Sequence, residues 1–285
     1  MNNNKGSVVI TGASRGLGQN MAKYLNTRGY HVFAGYRKSA DVSGFGEEAQ
    51  DQLTPLMLDV TDEDSIASAL ATVSEAVGEA GLQGLVNNAA IVVFGPIEQI
   101  PIDKVEEQFQ VNVFGPIAMI QKFLPLLRKG QGRIINISSV NGFLSPQYMG
   151  IYSASKFALE ALSDALRLEL KTWAIPVSVV QPGLYQSEVR ARSVESWGER
   201  LTAMSEEEQK LYQSGFQKTR QLIASFDQRA ADPQQVSEAV FEALTTDSPK
   251  TRYLVGEAAQ QMAGLLSLSD EARDAALLQM WDQQL

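Results

Sequence analysis

The feature that most constrains this chain is a short apolar run that passes directly into a glycine-rich turn. Residues 6–11 form the run, which is typical of a strand buried on both faces. Gly12, Gly16 and Gly18 follow, and a helical pattern then continues to Arg28. Glycine permits a tight turn and close backbone approach, and a helix N-terminus offers amide donors to phosphate. The stretch predicts a dinucleotide-phosphate site, with an ordinary strand-to-helix loop as the alternative.

Strand-like and helical segments alternate along the rest of the chain. Strand-like runs recur at residues 31–36, 55–58, 84–86, 132–139, 177–180 and 252–256. This alternation predicts the α/β class, as a doubly wound parallel sheet, or Rossmann fold. Because crossovers between parallel strands are right-handed, the carboxyl ends of the strands meet at one edge. We expect the residues that follow the strands to meet there: Gly12, Asp59, Asn87, Ser139 and Pro182.

We predict a single domain over residues 1–285, because no repeat or linker divides the chain. Residues 184–232 are polar and loosely patterned, as in a substrate loop or lid inserted after a strand. Within this insertion, several apolar residues suit a hydrophobic ligand: Val189, Trp197, Leu201, Met204, Tyr212 and Phe216. Residues 257–285 predict an amphipathic, helical C-terminal extension.

Composition excludes several kinds of chemistry. The chain has no cysteine and one histidine, His31, which lies in a strand-like run. Disulfides, cysteine nucleophiles, thiolate zinc sites and iron–sulfur clusters are therefore excluded, and we predict no metal site. The net charge of −9 argues against broad binding to nucleic acids or anionic membranes. With no run near the ~20 apolar residues of a membrane span and no room for a signal peptide, we expect a cytoplasmic protein.

The residues after the second strand favour a phosphorylated cofactor. Folds that bind NAD usually have an acidic residue there, which holds the ribose hydroxyls. This chain has Arg37 and Lys38 instead, with Arg15 in the glycine-rich turn. Guanidinium groups pair with phosphate through charge-assisted hydrogen bonds. We predict NADP(H) rather than NAD(H), with a solvated charge pair at the strand end as the alternative.

Tyr152 and Lys156 begin a helical pattern that runs to about Trp173, and they lie one turn apart on one face. A phenol titrates near ~10 in water, and a nearby ammonium lowers its pKa by favouring the anion. Such a phenol can exchange a proton with a substrate oxygen. Two unrelated polar residues are the alternative for this pair alone. We expect the apolar stripe of this helix to pack on the sheet: Phe157, Ala158, Ala161, Leu162, Ala165 and Leu166.

One further polar position lies inside a predicted helix. Residues 103–128 predict one long helix, and Asn112 lies in its interior. An asparagine there is unfavourable unless its amide has a task. Asn112 is therefore a candidate site residue.

These motifs together resemble the classical short-chain dehydrogenase/reductase family over residues 5–256. The glycine-rich turn, the Asn-Asn-Ala-Ala run at 87–90 and Pro182-Gly183 match three of its motifs. Its catalytic tetrad is matched by Asn112, Ser139, Tyr152 and Lys156. Two positions depart from the family pattern, because Ala90 replaces a glycine and Ser187 replaces a threonine that contacts nicotinamide.

The resemblance implies an oxidoreductase whose cofactor supplies hydride. Tyr152 would exchange a proton with the substrate oxygen, and Lys156 would lower the pKa of Tyr152 and bind the nicotinamide ribose. Ser139 would orient the substrate oxygen, and Asn112 would hold a water that links Lys156 to solvent. The residues expected to contact the cofactor are Gly12, Ser14, Arg15, Gly16, Leu17, Gly18, Arg37, Asp59, Val60, Asn88, Ala89, Tyr152, Lys156, Pro182, Gly183 and Ser187.

Within the family, the runs 152–160 and 252–256 are similar to the hydroxysteroid and retinol dehydrogenases. Apolar residues flank the expected site, which suits a hydrophobic carbonyl or secondary alcohol; ordinary core packing is the alternative. The residues expected to contact the substrate are Ser139, Phe94, Leu144, Met149 and Tyr152.

Two other functions are compatible with this fold. A non-catalytic redox sensor would bind NADP(H) and report to a protein partner, but such proteins typically lose the tyrosine or the lysine. An enzyme of epimerisation or dehydration would regenerate its bound cofactor. We favour the oxidoreductase, and the resemblance implies a homodimer or homotetramer, often formed through the helices at 103–128 and 152–173.

Overall fold

The computed structural model describes residues 5–38, 52–185, 188–228 and 230–282. These residues form seven parallel strands in one sheet, in the order β3-β2-β1-β4-β5-β6-β7. The strands are β1 (Ser7–Ile10), β2 (His31–Tyr36), β3 (Leu53–Met57), β4 (Gly84–Asn87), β5 (Arg133–Ile137), β6 (Val177–Pro182) and β7 (Arg252–Val255). The predicted doubly wound fold is therefore confirmed.

Helices cover both faces of the sheet. They are α1 (Gly16–Thr27), α2 (Glu63–Val77), α3 (Ile102–Phe109), α4 (Gly115–Gly130), α5 (Gly150–Glu169), α6 (Glu188–Thr202), α7 (Glu206–Gln228), α8 (Gln234–Thr245), α9 (Glu257–Gly264) and α10 (Asp270–Asp282). Neighbouring residues of a strand point to opposite faces. Val8 accordingly joins a core with residues of α1 and α8, and Val9 joins a core with residues of α2 and α4. Both strand faces are buried, which explains the unbroken apolar runs in the sequence.

The strand order reverses between β1 and β4. Chain connections run outward from this point in both directions, which opens a crevice at the carboxyl ends of the two strands. The glycine-rich turn follows β1 and the Asn-Asn-Ala-Ala run follows β4. The fold thus places both motifs at the crevice.

The insertion after β6 is helical, and this corrects the predicted loop. Its described residues form α6 and α7, which build a small core of their own. Trp197 and Leu201 are buried in that core against Phe94, so they do not have the ligand-facing position that we expected. Most of the apolar residues that we expected to face a ligand therefore fold the insertion, whereas Val189 lines the cavity at the carboxyl ends of the strands.

Helix α5 contacts the sheet largely through polar side chains, which corrects most of the expected apolar stripe; of its members, Leu166 packs against the core. Phe157 and Leu162 are 44% and 38% exposed. The buried residues of the helix are Ser153, Ser155, Lys156, Leu159, Glu160 and Ser163. Their polar groups find partners on the strands; the amide of Asn136 in β5, for example, donates to the Ser163 hydroxyl at 2.8 Å. Polar side chains can occupy a buried face when such partners exist.

Glu160 attaches α5 to the last two strands. Its carboxylate accepts from the Gln181 amide in β6 at 2.8 Å and from Arg252 Nε in β7 at 2.9 Å. Arg252 Nη2 also donates to Asp164 at 2.8 Å. Because Glu160 is only 7% exposed, its charge depends on these protein partners rather than on water.

We expect Arg252→Met to lower the free energy of unfolding by about 2 kcal/mol, because the buried Glu160 carboxylate loses its charged partner. Lys250→Met is the matched control, since Lys250 pairs with Glu242 at 3.2 Å through side chains that are 65% and 49% exposed. Such surface pairs contribute ~0–1 kcal/mol. Urea unfolding of both variants checks this, and equal losses would contradict it.

Candidate active site

A cavity of about 1550 Å³ opens at the carboxyl ends of the strands. Pockets for one ligand typically measure ~300–1,000 Å³, so this cavity has room for a cofactor and a second molecule. It is lined by every described residue of the predicted cofactor and substrate sites, and by Ser139, Tyr152 and Lys156. Asn112 is the predicted residue that does not line it, and Ser187 lies outside the described residues.

The glycine-rich turn is held against β4 by side chains. The Thr11 hydroxyl accepts from the backbone N–H groups of Asn88 and Ala89 at 3.0 and 2.9 Å. The Asn88 amide donates to the carbonyls of Thr11 and Gly12, both at 2.9 Å. Asn88, which we expected to contact the cofactor, thus also fixes the shape of the glycine-rich turn. Thr11 is 1% exposed, and its role was missed because a threonine at a strand end carries no distinctive signal.

The glycines of the turn fit a bound phosphate group. Gly12 has φ +62°, and a Cβ there would lie 2.8 Å from Ala89 Cα. Gly16 has φ +55°, but a Cβ at that position would meet no atom within 4 Å. The Gly16 backbone therefore borders open space at the start of α1, where backbone N–H groups point outward. A side chain would fill this cradle, which glycine leaves free for a ligand.

Cations line the cavity near the start of α1 and the end of β2. Arg15, Lys23 and Arg37 line it, together with Asp59 and Val60. The Asp59 carboxylate accepts from the backbone and hydroxyl of Thr61 at 2.9 and 2.7 Å. These cations suit a ribose phosphate, as the sequence predicted.

Tyr152 and Ser139 both line the cavity and are hydrogen-bonded to each other. The pKa of the Tyr152 phenol is raised overall, because the effect of burial exceeds the lowering by the hydrogen bond with Ser139 and by the charge of Arg190. This corrects the expected lowering of the phenol pKa by Lys156, which does not contribute to the shift. Arg190 lies in the first turn of α6, and its Nη2 donates to the Tyr185 carbonyl. Sequence analysis missed Arg190, since an arginine in a polar insertion has no pattern that places it near the phenol.

Asn141 holds Ser139 in place. The backbone N–H of Asn141 donates to the Ser139 hydroxyl at 3.2 Å. Its side-chain amide donates to Ser153 in α5 at 3.1 Å, and Asn141 is 6% exposed. The turn after β5 is thus fixed to the helix that carries Tyr152. Asn141 was not predicted as a site residue, although a residue two positions after Ser139 is placed to contact the Ser139 hydroxyl.

Lys156 is 3% exposed, and its ammonium donates to the Ile137 carbonyl at the end of β5 at 2.8 Å. It lies 5.8 Å from the centre of the Tyr152 ring. Burial lowers the pKa of Lys156 to about 8, and the negative charge of Glu160 opposes this shift. Lys156 is thus a buried cation whose protonation changes near neutral pH.

Asn112 lies in a π-helical turn (Gln110–Phe114) that joins α3 to α4, so the predicted long helix is present as one helical run with a wider turn at Asn112. Its amide accepts from the Ile91 N–H at 2.9 Å and donates to the Ile91 carbonyl at 3.0 Å and to Ser155 at 3.1 Å. The Ser155 hydroxyl in turn donates to the Tyr152 carbonyl at 2.7 Å. Asn112 therefore joins the segment after β4 to the helix of Tyr152. Turns of this type are frequent at functional sites.

We expect Lys156→Met to be more stable relative to wild type at pH 7 than at pH 10. Between about pH 8 and pH 10.5 the unfolded lysine binds more protons than the native one, so the stability of wild type rises with pH there. The free energy of unfolding of the variant minus that of wild type should therefore fall by about 2 kcal/mol over this range.

Urea unfolding at both pH values measures this change, with Lys122→Met in α4 as the control because Lys122 is exposed. A difference between Lys156→Met and wild type that does not vary with pH would contradict the lowered pKa.

Comparison with known proteins agrees with this geometry. The family model described as short chain dehydrogenase matches residues 6–197. The chain is 32% identical over 252 residues to the NADPH-dependent 3-dehydrocapnine reductase of Ornithobacterium rhinotracheale, covering 87% of each protein. It is 35% identical over 283 residues to 17-beta-hydroxysteroid dehydrogenase type 6 of Bos taurus, covering 96% of this chain and 88% of that one.

A solved short-chain dehydrogenase from Streptomyces avermitilis superposes with a TM-score of 0.75 at 28% identity, over 99% of this chain and 98% of the other. The resemblance stated from the motifs is therefore confirmed, including its similarity to hydroxysteroid dehydrogenases. With the family model matched over most of the chain and relatives above 30% identity, this chain belongs to the short-chain dehydrogenase family of oxidoreductases.

Proposed function

We propose that this protein is an NADP(H)-dependent oxidoreductase that interconverts a hydrophobic carbonyl compound and its secondary alcohol. The observation that carries the proposal is that Ser139, Tyr152 and Lys156 line the same cavity as the glycine-rich turn. A relative that is named an NADPH-dependent reductase supports the choice of cofactor.

NADP(H) would be held by the glycine-rich turn, by Arg15 and Arg37, and by the residues after β4 and β6. When bound, it supplies or accepts the hydride. The open cradle at Gly16 supports binding of its pyrophosphate at the N-terminus of α1. Arg37 and Arg15 would pair with the ribose phosphate that distinguishes NADP from NAD.

Tyr152 would exchange the proton with the substrate oxygen. In the reducing direction its hydroxyl donates a proton to the oxygen of the carbonyl, and in the oxidising direction its phenolate accepts one. The positive charge of Arg190 would favour the phenolate, against the larger effect of burial. Ser139 would donate a hydrogen bond to the same oxygen, and Asn141 keeps its hydroxyl at the end of β5.

Asn112 has two tasks in this proposal. It joins the segment after β4 to the catalytic helix through Ser155. The second lone pair of its amide oxygen remains a candidate acceptor for a water that connects Lys156 to solvent, as the family resemblance implies.

The apolar lining supports a hydrophobic substrate. Leu144 and Met149, which we expected to contact substrate, line the cavity close to Tyr152 in sequence. Phe94 also lines it but is 1% exposed, so it contributes mainly the packing beneath the surface.

We further propose that the protein forms a homodimer or homotetramer through the helical run from α3 to α4 and through α5. Phe114, Phe157 and Leu162 are 52%, 44% and 38% exposed, and exposed apolar groups of this size often mark interfaces. Among the described helices, none combines the length and the apolar character that crossing a membrane would require. The cytoplasmic location stays a prediction from the sequence.

We expect Tyr152→Phe to lower kcat/KM for NADPH-dependent reduction of a hydrophobic ketone by about 10²–10⁴-fold, because the proton donor is lost. The Kd for NADPH should stay within a few-fold of wild type. Tyr24→Phe in α1 removes a hydroxyl that does not line the cavity and should leave kcat/KM unchanged.

Steady-state consumption of NADPH against a panel of hydrophobic ketones, aldehydes and quinones is the measurement. Tight NADPH binding without turnover of any compound would favour the redox sensor instead. An active Tyr152→Phe variant would overturn the assignment of the proton donor.

We expect Arg37→Ala to raise KM for NADPH by about 10–100-fold with little effect on KM for NADH, since charged hydrogen bonds contribute ~1.5–3 kcal/mol. Lys38→Ala is the matched control, because the adjacent Lys38 is exposed and is not among the described residues that line the cavity. Equal losses with the two cofactors would show that Arg37 does not recognise the ribose phosphate.

A further inference from the structure

The C-terminal helix α10 forms part of the cavity wall. Leu277, Met280 and Trp281 line the cavity beside Met262 of α9 and Leu222 of α7. None of the described residues of α10 is buried, so the helix is not part of the main core. Its partly exposed residues Arg273, Ala276, Leu277 and Trp281 recur at helical spacing. One side of α10 is thus directed toward the cavity rather than toward the sheet.

Aromatic contacts attach this wall to the rest of the site. The ring of Trp281 lies 5.4 Å from that of Tyr148, which lies 5.0 Å from Trp197 of α6. Trp197 is in edge contact with Phe216 of α7 at 5.3 Å. Ring pairs at these separations are favourable by ~0.5–1.5 kcal/mol beyond the area they bury. The series therefore joins α10 to both helices of the insertion.

Tyr148 lies in the turn that leads into the helix of Tyr152. It has φ +60°, a left-handed conformation that is unfavourable for a residue with a side chain. Its carbonyl accepts from the Gly95 N–H at 2.9 Å. A Cβ on Gly215 of α7 would lie 2.4 Å from the Tyr148 hydroxyl, so a glycine is required where the ring passes. Tyr148 is thus held from several sides, which gives Trp281 a fixed surface to contact.

A surface ion pair adds a second attachment. Lys218 of α7 pairs with Asp282 at 2.9 Å, through side chains that are 28% and 65% exposed. Such pairs contribute little free energy, so the contact between Trp281 and Tyr148 is the main constraint on the end of α10.

The wall also lies outside the part of the chain that the family model matches. That match ends at residue 197, before α7, α9 and α10. The glycine-rich turn and Tyr152 precede residue 197, whereas the residues of α7, α9 and α10 that form the apolar wall follow it. The wall is therefore formed by residues beyond the matched family pattern.

We propose that Trp281 and Leu277 determine how large an apolar substituent the substrate can carry. The inference deepens the proposed function and rests on it for the identity of the substrate as a hydrophobic carbonyl compound. The indole of Trp281, fixed on Tyr148, limits the space on the α10 side. A shorter side chain there enlarges the cavity and favours longer hydrocarbon chains. One methylene in an apolar pocket changes binding by about 1–3 kcal/mol, so the effect is measurable.

The test uses equilibrium binding, so that it does not require turnover. A short and a long straight-chain methyl ketone are titrated by calorimetry into full-length protein saturated with NADP⁺, which cannot reduce them. The quantity compared is the ratio of the Kd for the short ketone to the Kd for the long ketone. This ratio does not depend on the fraction of folded protein.

We expect Trp281→Ala to raise this ratio by about tenfold or more, and Leu277→Ala to raise it by a smaller factor. Leu278→Ala is the matched control, because Leu278 is the next residue along the helix but is 46% exposed and is not among the described lining residues. Trp281→Phe keeps an aromatic ring against Tyr148 and should keep the wild-type ratio.

An unchanged ratio in both Trp281→Ala and Leu277→Ala would overturn the proposal, as would an equal change in Leu278→Ala. If Trp281→Ala does not fold, the Kd ratios of Leu277→Ala and Leu278→Ala are compared instead, and equal ratios would overturn the proposal. If the ratios change as expected and no ketone is reduced with NADPH, the proposed reaction fails while the role of the wall stands.

Discussion

The candidate site depends on a helix that contacts its sheet through polar groups. Most helices of this fold pack on the sheet by apolar contact, which tolerates small shifts. Helix α5 instead joins the strands through the Lys156 ammonium, the Glu160 carboxylate and the Ser163 hydroxyl. Hydrogen bonds have narrow ranges of distance and angle, so these groups fix both the rotation and the height of the helix. Because Tyr152 lies on α5, the same hydrogen bonds fix the position of its backbone in the site.

The segments around Tyr152 are fixed in the same way. Asn88 holds the glycine-rich turn, Asn141 holds the turn of Ser139, and Asn112 holds the segment after β4. The side-chain amides supply these contacts in different ways. Asn88 donates to two backbone carbonyls and Asn141 donates to Ser153, whereas Asn112 both accepts from and donates to the backbone of Ile91. The backbone of the loops at the carboxyl edge lacks the hydrogen bonds that strands make with neighbouring strands. Side-chain amides supply hydrogen bonds in their place. This arrangement provides the rigid geometry that proton transfer requires.

The sequence was sufficient to predict the sheet, the place of the cofactor turn and the meeting of Ser139, Tyr152 and Lys156. All of these depend on local patterns and on the handedness of crossovers, which are properties of short segments. It was not sufficient for the orientation of α5, because buried polar residues such as Ser163 look like surface residues until their partners are known. The π-helical turn at Asn112 and the core around Trp197 were missed for the same reason: each depends on contacts with distant segments.

The π-helical turn at Gln110–Phe114 also determines which change of length this segment can absorb. A π-helical turn contains one more residue than the turn of an α-helix that it replaces. In an uninterrupted α-helix, deleting one residue rotates everything after it by about 100°, given 3.6 residues per turn. A deletion within the π-helical turn would instead leave an ordinary α-helical turn, so the buried side chains Met119, Phe123 and Leu127 of α4 would keep their place on the sheet. The deletion would remove the position of Asn112 rather than the packing of the helix.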